Sequence, residues 1–192
     1  MDELAGIAGA DPIAFRLDHL TDPRARAVIE TAAEQFGWTR FNATPGKGKG
    51  FGFARLNNYG AYVAVAAEVR ADGKDDIRIL RIAAAVDCGE LINPDGVRSQ
   101  IEGGIIQAAS WTLMEAVSFD RTAITSSDWG SYPILRITEA PEVEVHLIGR
   151  PDESYLGVGE AAQGPAGSAV ANAVADAAGR RLRGLPLLRG RA

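Results

Sequence analysis

The chain has 192 residues, of which 46% are hydrophobic and 23% charged, and a formal net charge of -5. This length and composition are typical of a globular protein with one sizeable core or two small ones, and they exclude collagen and a wholly disordered chain. The lysines and arginines are scattered, so we expect no nucleic-acid partner. No run approaches the roughly 18 apolar residues of a membrane span, and residues 1–10 lack the features of a signal peptide. The sequence therefore does not distinguish a cytoplasmic from a periplasmic location.

The single cysteine and the two histidines limit the chemistry that the chain can perform alone. Cys88 excludes an intramolecular disulfide, a Cys-ligated zinc finger and a four-thiolate iron–sulfur cluster within the chain. It follows Asp87 at the end of an apolar segment, which favours a buried, inert thiol over a nucleophile. His19 and His146 are predicted on the surface, and no GxSxG motif supports a Ser–His–Asp hydrolase. A metal, if one is used, must be held by something other than protein thiolates.

Residues 1–38 predict a helical lead-in. Asp11–Pro12 and Asp22–Pro23 each combine a capping side chain with a first-turn proline, and Gly37 is a candidate C-terminal stop. An apolar stripe is expected on the last of these helices, formed by Ala27, Ile29, Ala32, Ala33 and Phe36.

Residues 39–192 predict an alternation of strands and helices. The expected order is strands over 51–56, 59–70 and 77–86, a helix over 95–116, a strand over 141–149 and a helix over 165–178. The third strand is apolar on both faces, which indicates a sheet covered on both sides. The last helix has a face of alanines and valines, small enough to pack closely against another backbone. This order predicts an α+β fold.

The run GKGKGFG at Gly46–Gly52 invites a phosphate-binding interpretation. That interpretation requires a strand before the glycines and a helix after them, whereas here a strand follows. We therefore interpret the run as a flexible entry to a strand.

Two places do not fit a purely structural interpretation. Gln100 lies on a predicted helix within a turn of Gly103 and Gly104, and each glycine costs about 1 kcal/mol relative to alanine unless a neighbour approaches closely. Glu160 follows Gly159 on a tight loop just before the last helix. Its carboxylate either interacts favourably with the dipole of the last helix or takes part in a reaction, and composition alone leaves both alternatives open.

Two segments, AAAVDCGELINPDGVRSQIEGGIIQAASWTLMEA and LGVGEAAQGPAGSAVANAVADAAGRRLRGLPL, occur in this order. Together they resemble the C-terminal end of the molybdopterin-binding large subunit of the xanthine dehydrogenase and aldehyde oxidase family, in particular the branch that contains the isoquinoline 1-oxidoreductase beta subunits. MDELAGIAGADPIAFRLDHL is similar to the family's helical segment. The resemblance implies that residues 39–192 are the C-terminal part of a molybdenum-cofactor-binding domain, with a mixed sheet and packed helices.

The same resemblance implies a cofactor and site residues. In the family, a pterin holds molybdenum through dithiolene sulfurs, and its cytosine dinucleotide form is a candidate here. Glu160 matches the general base, which takes a proton from the oxygen that attacks an aldehyde or N-heteroaromatic carbon. Gln100 matches the glutamine that hydrogen-bonds the pterin, and Gly159 lets the loop approach the ligands of the metal. No metal ligand is expected among the side chains of this chain.

The resemblance also implies partners. The family's large subunit is several times longer, so the remaining part of that subunit, an iron–sulfur small subunit and a small-molecule substrate are expected. The chain alone is expected to be inactive, whether it is a fragment, an excised domain or a split subunit. A non-catalytic assembly module is the alternative, and a free-standing enzyme with another substrate is a third hypothesis.

Overall fold

A computed structural model describes residues 1–39, 44–71 and 76–188 of the chain. Its elements are α1 (Asp2–Ile7), α2 (Pro12–Asp18), α3 (Pro23–Phe36), β1 (Lys47–Arg55), β2 (Tyr62–Ala71), β3 (Ile77–Asp87), α4 (Pro94–Leu113), β4 (Glu142–Leu147) and α5 (Gln163–Ala178). The strands form one sheet in the order β1-β2-β3-β4. The first three strands are antiparallel and β4 is parallel to β3, with α4 as the crossover that a parallel pair requires. This mixed sheet with packed helices confirms the predicted α+β class.

The predicted caps of the lead-in helices are confirmed. The Asp11 carboxylate accepts hydrogen bonds from the first turn of α2, and Asp22 does the same for α3, because an N-terminal turn leaves its N–H groups without intrahelical partners. Gly37 ends α3 at φ +66°. The predicted stripe was partly wrong, since Ala27 and Ala33 are only half-buried. The buried face of α3 consists of Ala25, Val28, Ile29, Ala32 and Phe36.

The sheet is covered on both faces, as predicted. Alternate residues of β3 belong to two hydrophobic clusters, because successive side chains of a strand point to opposite faces. Ala83 and Ala85 pack with α3, whereas Ile82, Ala84 and Val86 pack on the side of α4 and α5. The helical lead-in therefore lies on one side of the sheet, and the helices that carry the candidate site lie on the other.

All of the glycine-rich run except Gly46 lies inside β1, which begins at Lys47, so its interpretation as a flexible entry to a strand was wrong. A Cβ atom at Gly48, Gly50 or Gly52 would lie 2.1–2.3 Å from a backbone oxygen of α5. The absence of side chains on this face of β1 lets α5 lie directly on the strand. The predicted close packing of the small-residue helix is thereby confirmed, with β1 as its partner.

Both helices that flank the candidate site begin slightly earlier than predicted. Asn93 caps α4 by accepting a hydrogen bond from Gly96 N–H at 3.0 Å, and α4 ends at Leu113 rather than near residue 116. At that end, the N–H groups of Leu187 and Leu188 donate to carbonyls of α4, which satisfies acceptors that a helix end leaves free. α5 begins at Gln163 and stops at Gly179 in the left-handed region. No helix in the described ranges is long and apolar enough to cross a bilayer.

Candidate functional site on α4 and the loop before α5

The residues predicted to bind and to act lie along α4 and in the loop that precedes α5. A Cβ atom at Gly159 would be 3.6 Å from Gln100 Oε1, so the structure brings these two residues together. Glu160 is the next residue of the chain, and all three are exposed. The loop and the helix therefore form one open surface.

Contacts between α4 and this loop continue along the helix. Gly104 is buried, and its Cβ position lies 3.5 Å from Ala162 Cβ, which confirms the expected close neighbour. One turn further, Gln163 Nε2 donates to Gln107 Oε1 at 2.9 Å. The same expectation was wrong for Gly103, where a Cβ atom would meet nothing within 4 Å. Glycine at this position leaves open space on the surface.

Gln107 and Gln163 are residues that sequence reasoning missed. The signal for Gln107 was available, because residues seven apart share a face of a helix, and Gln107 lies seven residues after Gln100. We call the exposed surface formed by Gln100, Gly103 and Gln107 the amide face of α4. Gln163 carried no such signal, since its contact depends on how α5 packs.

The Glu160 carboxylate has no hydrogen bond or ion pair among residues 1–39, 44–71 and 76–188. The N-cap of α5 is Ala162, which makes no side-chain cap. The backbone of Glu160 is tied to the helix, because Gln163 N–H donates to the Glu160 carbonyl at 3.3 Å. Its side chain is thus free for a ligand rather than engaged at the helix start.

The approach to Gly159 is held by the segment that follows β3. Leu156 N–H donates to the Cys88 carbonyl at 2.8 Å, and Glu90 N–H donates to the Glu153 carbonyl at 3.0 Å. Gly89 adopts φ +75°, and a Cβ atom there would lie 2.1 Å from the Ser154 oxygen. Only glycine suits this combination of backbone angle and close approach. The loop therefore reaches the amide face from a fixed point.

A buried carboxylate anchors the same segment to the lead-in helix. Asp87, fully buried at the end of β3, pairs with Arg24 of α3 at 2.5 Å and also with Arg150 Nε. Gly89 N–H donates to Asp87 Oδ1 at 3.0 Å. Burial by itself raises the pKa of Asp87, but the hydrogen bonds from the two arginines and Gly89 outweigh it and hold the pKa below its ordinary value. Sequence reasoning missed this cluster because its members lie far apart in the chain.

The other reactive side chains stay apart from the site. Cys88 is buried, and burial, together with the charge of Asp87, raises the pKa of its thiol, in line with the predicted inert role. His19 is exposed as predicted, whereas His146 on β4 is half-buried, with Nε2 3.2 Å from Glu144 Oε1. Within the described part of the chain, no three or more His, Cys, Asp or Glu side chains are grouped so that they could hold a metal ion.

Comparison with known proteins identifies the family. The sequence model of the molybdopterin cofactor-binding domain matches residues 13–141, which include the amide face of α4 but end before Glu160. The chain belongs to this family. The resemblance stated from the sequence is thereby confirmed.

The relatives of this chain are much longer than the chain itself. It is 39% identical to a nicotinate dehydrogenase subunit of Pseudomonas putida, over 97% of this chain and 17% of that protein. It is 38% identical to the beta subunit of isoquinoline 1-oxidoreductase of Brevundimonas diminuta, over 97% of this chain and 24% of that protein. The crystal structure of quinoline 2-oxidoreductase from Pseudomonas putida 86 superposes with a TM-score of 0.61 and 31% identity, over 66% of this chain and 17% of that one. The chain thus spans a quarter or less of the length of these proteins.

Proposed function

We propose that this chain supplies the general base and one wall of the pterin site in a molybdenum hydroxylase. The observation that carries the proposal is the contact between Gln100 on α4 and Gly159 in the loop that bears Glu160. It places an uncommitted amide and an uncommitted carboxylate on one open surface of a molybdopterin-binding domain. Within this proposal, residues 1–38 are the helical lead-in and residues 39–192 carry the site.

The part of the amide face formed by Gln100 and Gly103 fits a pterin. The Gln100 side chain is exposed and has no hydrogen-bond partner in the described ranges, and an amide offers both the donors and the acceptor that a pterin ring edge requires. Gly103 leaves open space beside it, where a larger side chain would block a flat ring. When bound, the molybdenum–pterin group supplies the oxygen nucleophile, which derives from water, and takes up the electrons of the oxidation. The cytosine dinucleotide form of the pterin is part of the proposal.

The residues of this chain would then bind, orient and accept a proton. Gln100 holds the ring by hydrogen bonds and cannot act as a base at neutral pH. A carboxylate oxygen of Glu160 accepts the proton of the attacking oxygen species, and Gly159 lets the backbone approach without a side chain in the way. Both side chains are exposed here, so the second wall must come from the remaining part of the large subunit. Closure by that part would shield Glu160 from bulk water.

The names of the relatives support one class of substrate. The three relatives compared are named for nicotinate, isoquinoline and quinoline, which are all N-heteroaromatic molecules. We therefore favour an N-heteroaromatic carbon over an aldehyde as the site of hydroxylation. An iron–sulfur small subunit would take the electrons.

The alternative is a non-catalytic module that completes the fold of a larger subunit. The large apolar side chains exposed between α4 and β4, such as Trp129 and Phe119, suit assembly and are compatible with both functions. The alternatives differ in the role that they assign to Glu160. A structural module needs this residue only at a helix start, yet its side chain makes no cap there.

Neutralising Glu160 in the assembled complex tests the proposed function. Glu160→Gln keeps size and hydrogen-bonding capacity, so molybdenum content should be unchanged, while turnover per molybdenum should fall by about 10²–10⁴, the usual contribution of a general base. Glu34→Gln is the matched control, because Glu34 is also exposed but lies on α3, on the opposite side of the sheet. Single-turnover reduction by substrate would be measured across pH at equal metal content. A Glu160→Gln enzyme within a few-fold of wild type, with the same pH profile, would refute the assignment.

A further inference from the structure

The loop with Glu160 contacts α4 at successive turns of the helix. Gln100 lies beside Gly159, Gly104 lies beside Ala162, and Gln107 accepts the hydrogen bond from Gln163. These contacts are spaced four and three residues apart on α4, which is the spacing of one helix face. The loop is therefore laid along the helix in a single register, with Glu160 between the first contact and the second.

We propose that Gln107 and Gln163 are positioning residues that hold this register and so fix the place of the Glu160 carboxylate relative to Gln100. The inference rests on the proposed function of Glu160. Neither glutamine needs to touch the reacting atoms, because Gln163 acts through the backbone. Its N–H donates to the Glu160 carbonyl, while its side chain bonds to Gln107 on α4.

The start of α5 is also held by apolar packing, since Ala161 and Ala162 are buried, and by a hydrogen bond from Ala161 N–H to the Val158 carbonyl at 3.2 Å. Its N-cap, Ala162, provides no side-chain acceptor for the first N–H groups of the helix. The Gly104–Ala162 contact is apolar, so it limits how closely the loop approaches α4 but does not fix the position of the loop along the helix axis. A directional hydrogen bond from the first residue of α5 supplies the missing constraint. Loss of that bond should loosen the first turn of α5 and the loop relative to α4, while the buried Ala161 and Ala162 keep them docked.

The chemistry of the pair provides a selective test. An amide can donate or accept, so Gln107→Glu alone and Gln163→Glu alone each leave one donor and one acceptor, and the hydrogen bond can persist. The double variant has two acceptors of like charge and must break it. Gln107→Ala breaks it without added charge. Gln35→Ala on α3 is the matched control, since Gln35 is an exposed glutamine on the opposite side of the sheet.

Hydrogen exchange of the chain, followed by mass spectrometry, measures the positioning directly and without cofactor. We expect amides of residues 157–166 to exchange about threefold to tenfold faster in Gln107→Ala and in the double variant, the range for the loss of one hydrogen bond. Both single glutamate variants and Gln35→Ala should exchange like the wild type. Unchanged exchange in Gln107→Ala and the double variant would overturn the inference.

Turnover of the assembled complex connects the positioning to the reaction. Gln107→Ala should lower kcat by about tenfold or more at unchanged molybdenum content, with KM within about twofold, because a misplaced base slows the chemical step. Reduced cofactor content with normal exchange would instead make Gln107 a pterin-binding residue and overturn the positioning role. If Gln107→Ala exchanges faster but Glu160→Gln keeps full activity, the positioning of the loop is supported and the proposed function of Glu160 is refuted.

Discussion

Asp87 is a fully buried carboxylate that interacts with the side chains of Arg24 and Arg150. A buried charge is tolerated only when it is paired and hydrogen-bonded, and here the partners come from α3 and from the segment after β4. The residue therefore joins α3 and the segment after β4 to Gly89, which lies against the loop that leads to Glu160. Its influence on the candidate site acts through the backbone of residues 88–90.

Replacement of Asp87 should destabilise the fold in a pH-dependent way. The folded pKa of Asp87 is lowered below 3.8, so its ionisation stabilises the fold above that pH and the stabilisation is lost as the pH falls through the folded pKa. Asp87→Asn leaves two arginines without their carboxylate and should cost about 3 kcal/mol at pH 7. Urea denaturation would measure the cost at pH 7 and at decreasing pH, where the wild type and variant should converge.

Asp152→Asn provides the comparison, because Asp152 is exposed and close in sequence to the same segment. It should change the free energy of unfolding by no more than about 0.5 kcal/mol. An Asp87→Asn cost that does not diminish on acidification would show that its charge is not the stabilising feature.

At the scale of elements, the packing of α5 on β1 determines where the Glu160 loop ends. The three glycines of β1 allow the backbones to approach, and α5 contributes a face of small side chains. The small face was visible in the sequence as a pattern of alanines. Its partner strand was not, because a glycine-rich run has the same local composition in a loop and in a closely packed strand.

Gly50→Ala should test this packing. The added Cβ would lie 2.1 Å from Ala169 O and from Ala173 N, so α5 must move away from the strand. We expect a loss of about 1–3 kcal/mol in the free energy of unfolding, the usual cost of overpacking. Gly6→Ala on α1 is the control, because a Cβ atom there meets nothing within 4 Å. Equal stability of Gly50→Ala and wild type in urea would contradict the close approach.

At the scale of the whole molecule, the chain has exposed apolar side chains of the kind found in contact surfaces. Phe119, Trp129 and Ile137, all between α4 and β4, are 77%, 81% and 93% exposed. These side chains follow α4 in the chain and are separate from the open amide face, which lies on α4 itself. Exposed apolar surface of this kind favours association with another protein surface.

The isolated chain should therefore self-associate and bind molybdopterin weakly. Contacts from one wall alone provide little affinity for the cofactor, whereas exposed apolar surface favours association. Sedimentation over a range of concentrations and metal analysis would measure both properties. A double variant, Phe119→Ser with Trp129→Ser, should shift the association to higher concentration, and Ile92→Ser, at an exposed site outside that segment, should not. A monodisperse monomer with stoichiometric molybdenum would contradict this expectation.

The sequence by itself determined features that depend on neighbours along the chain. The caps at Asp11 and Asp22, the stop at Gly37 and the apolar alternation of β3 follow from local hydrogen bonding and from the periods of helix and strand. The order of two long motifs was enough to indicate the family. Gln100 and Glu160 could be named in this way because each lies in one of those motifs.

Only the tertiary structure decided which distant residues meet. Three such features depend on how the helices dock on the sheet. They are the packing of the glycine run as a strand, the pairing of Asp87 with two arginines and the hydrogen bond between Gln163 and Gln107. Such contacts join positions tens of residues apart, and no local propensity encodes them. The contact that brings Gly159, the residue before Glu160, beside Gln100 is thus a property of packing, while the identity of these residues is a property of the sequence.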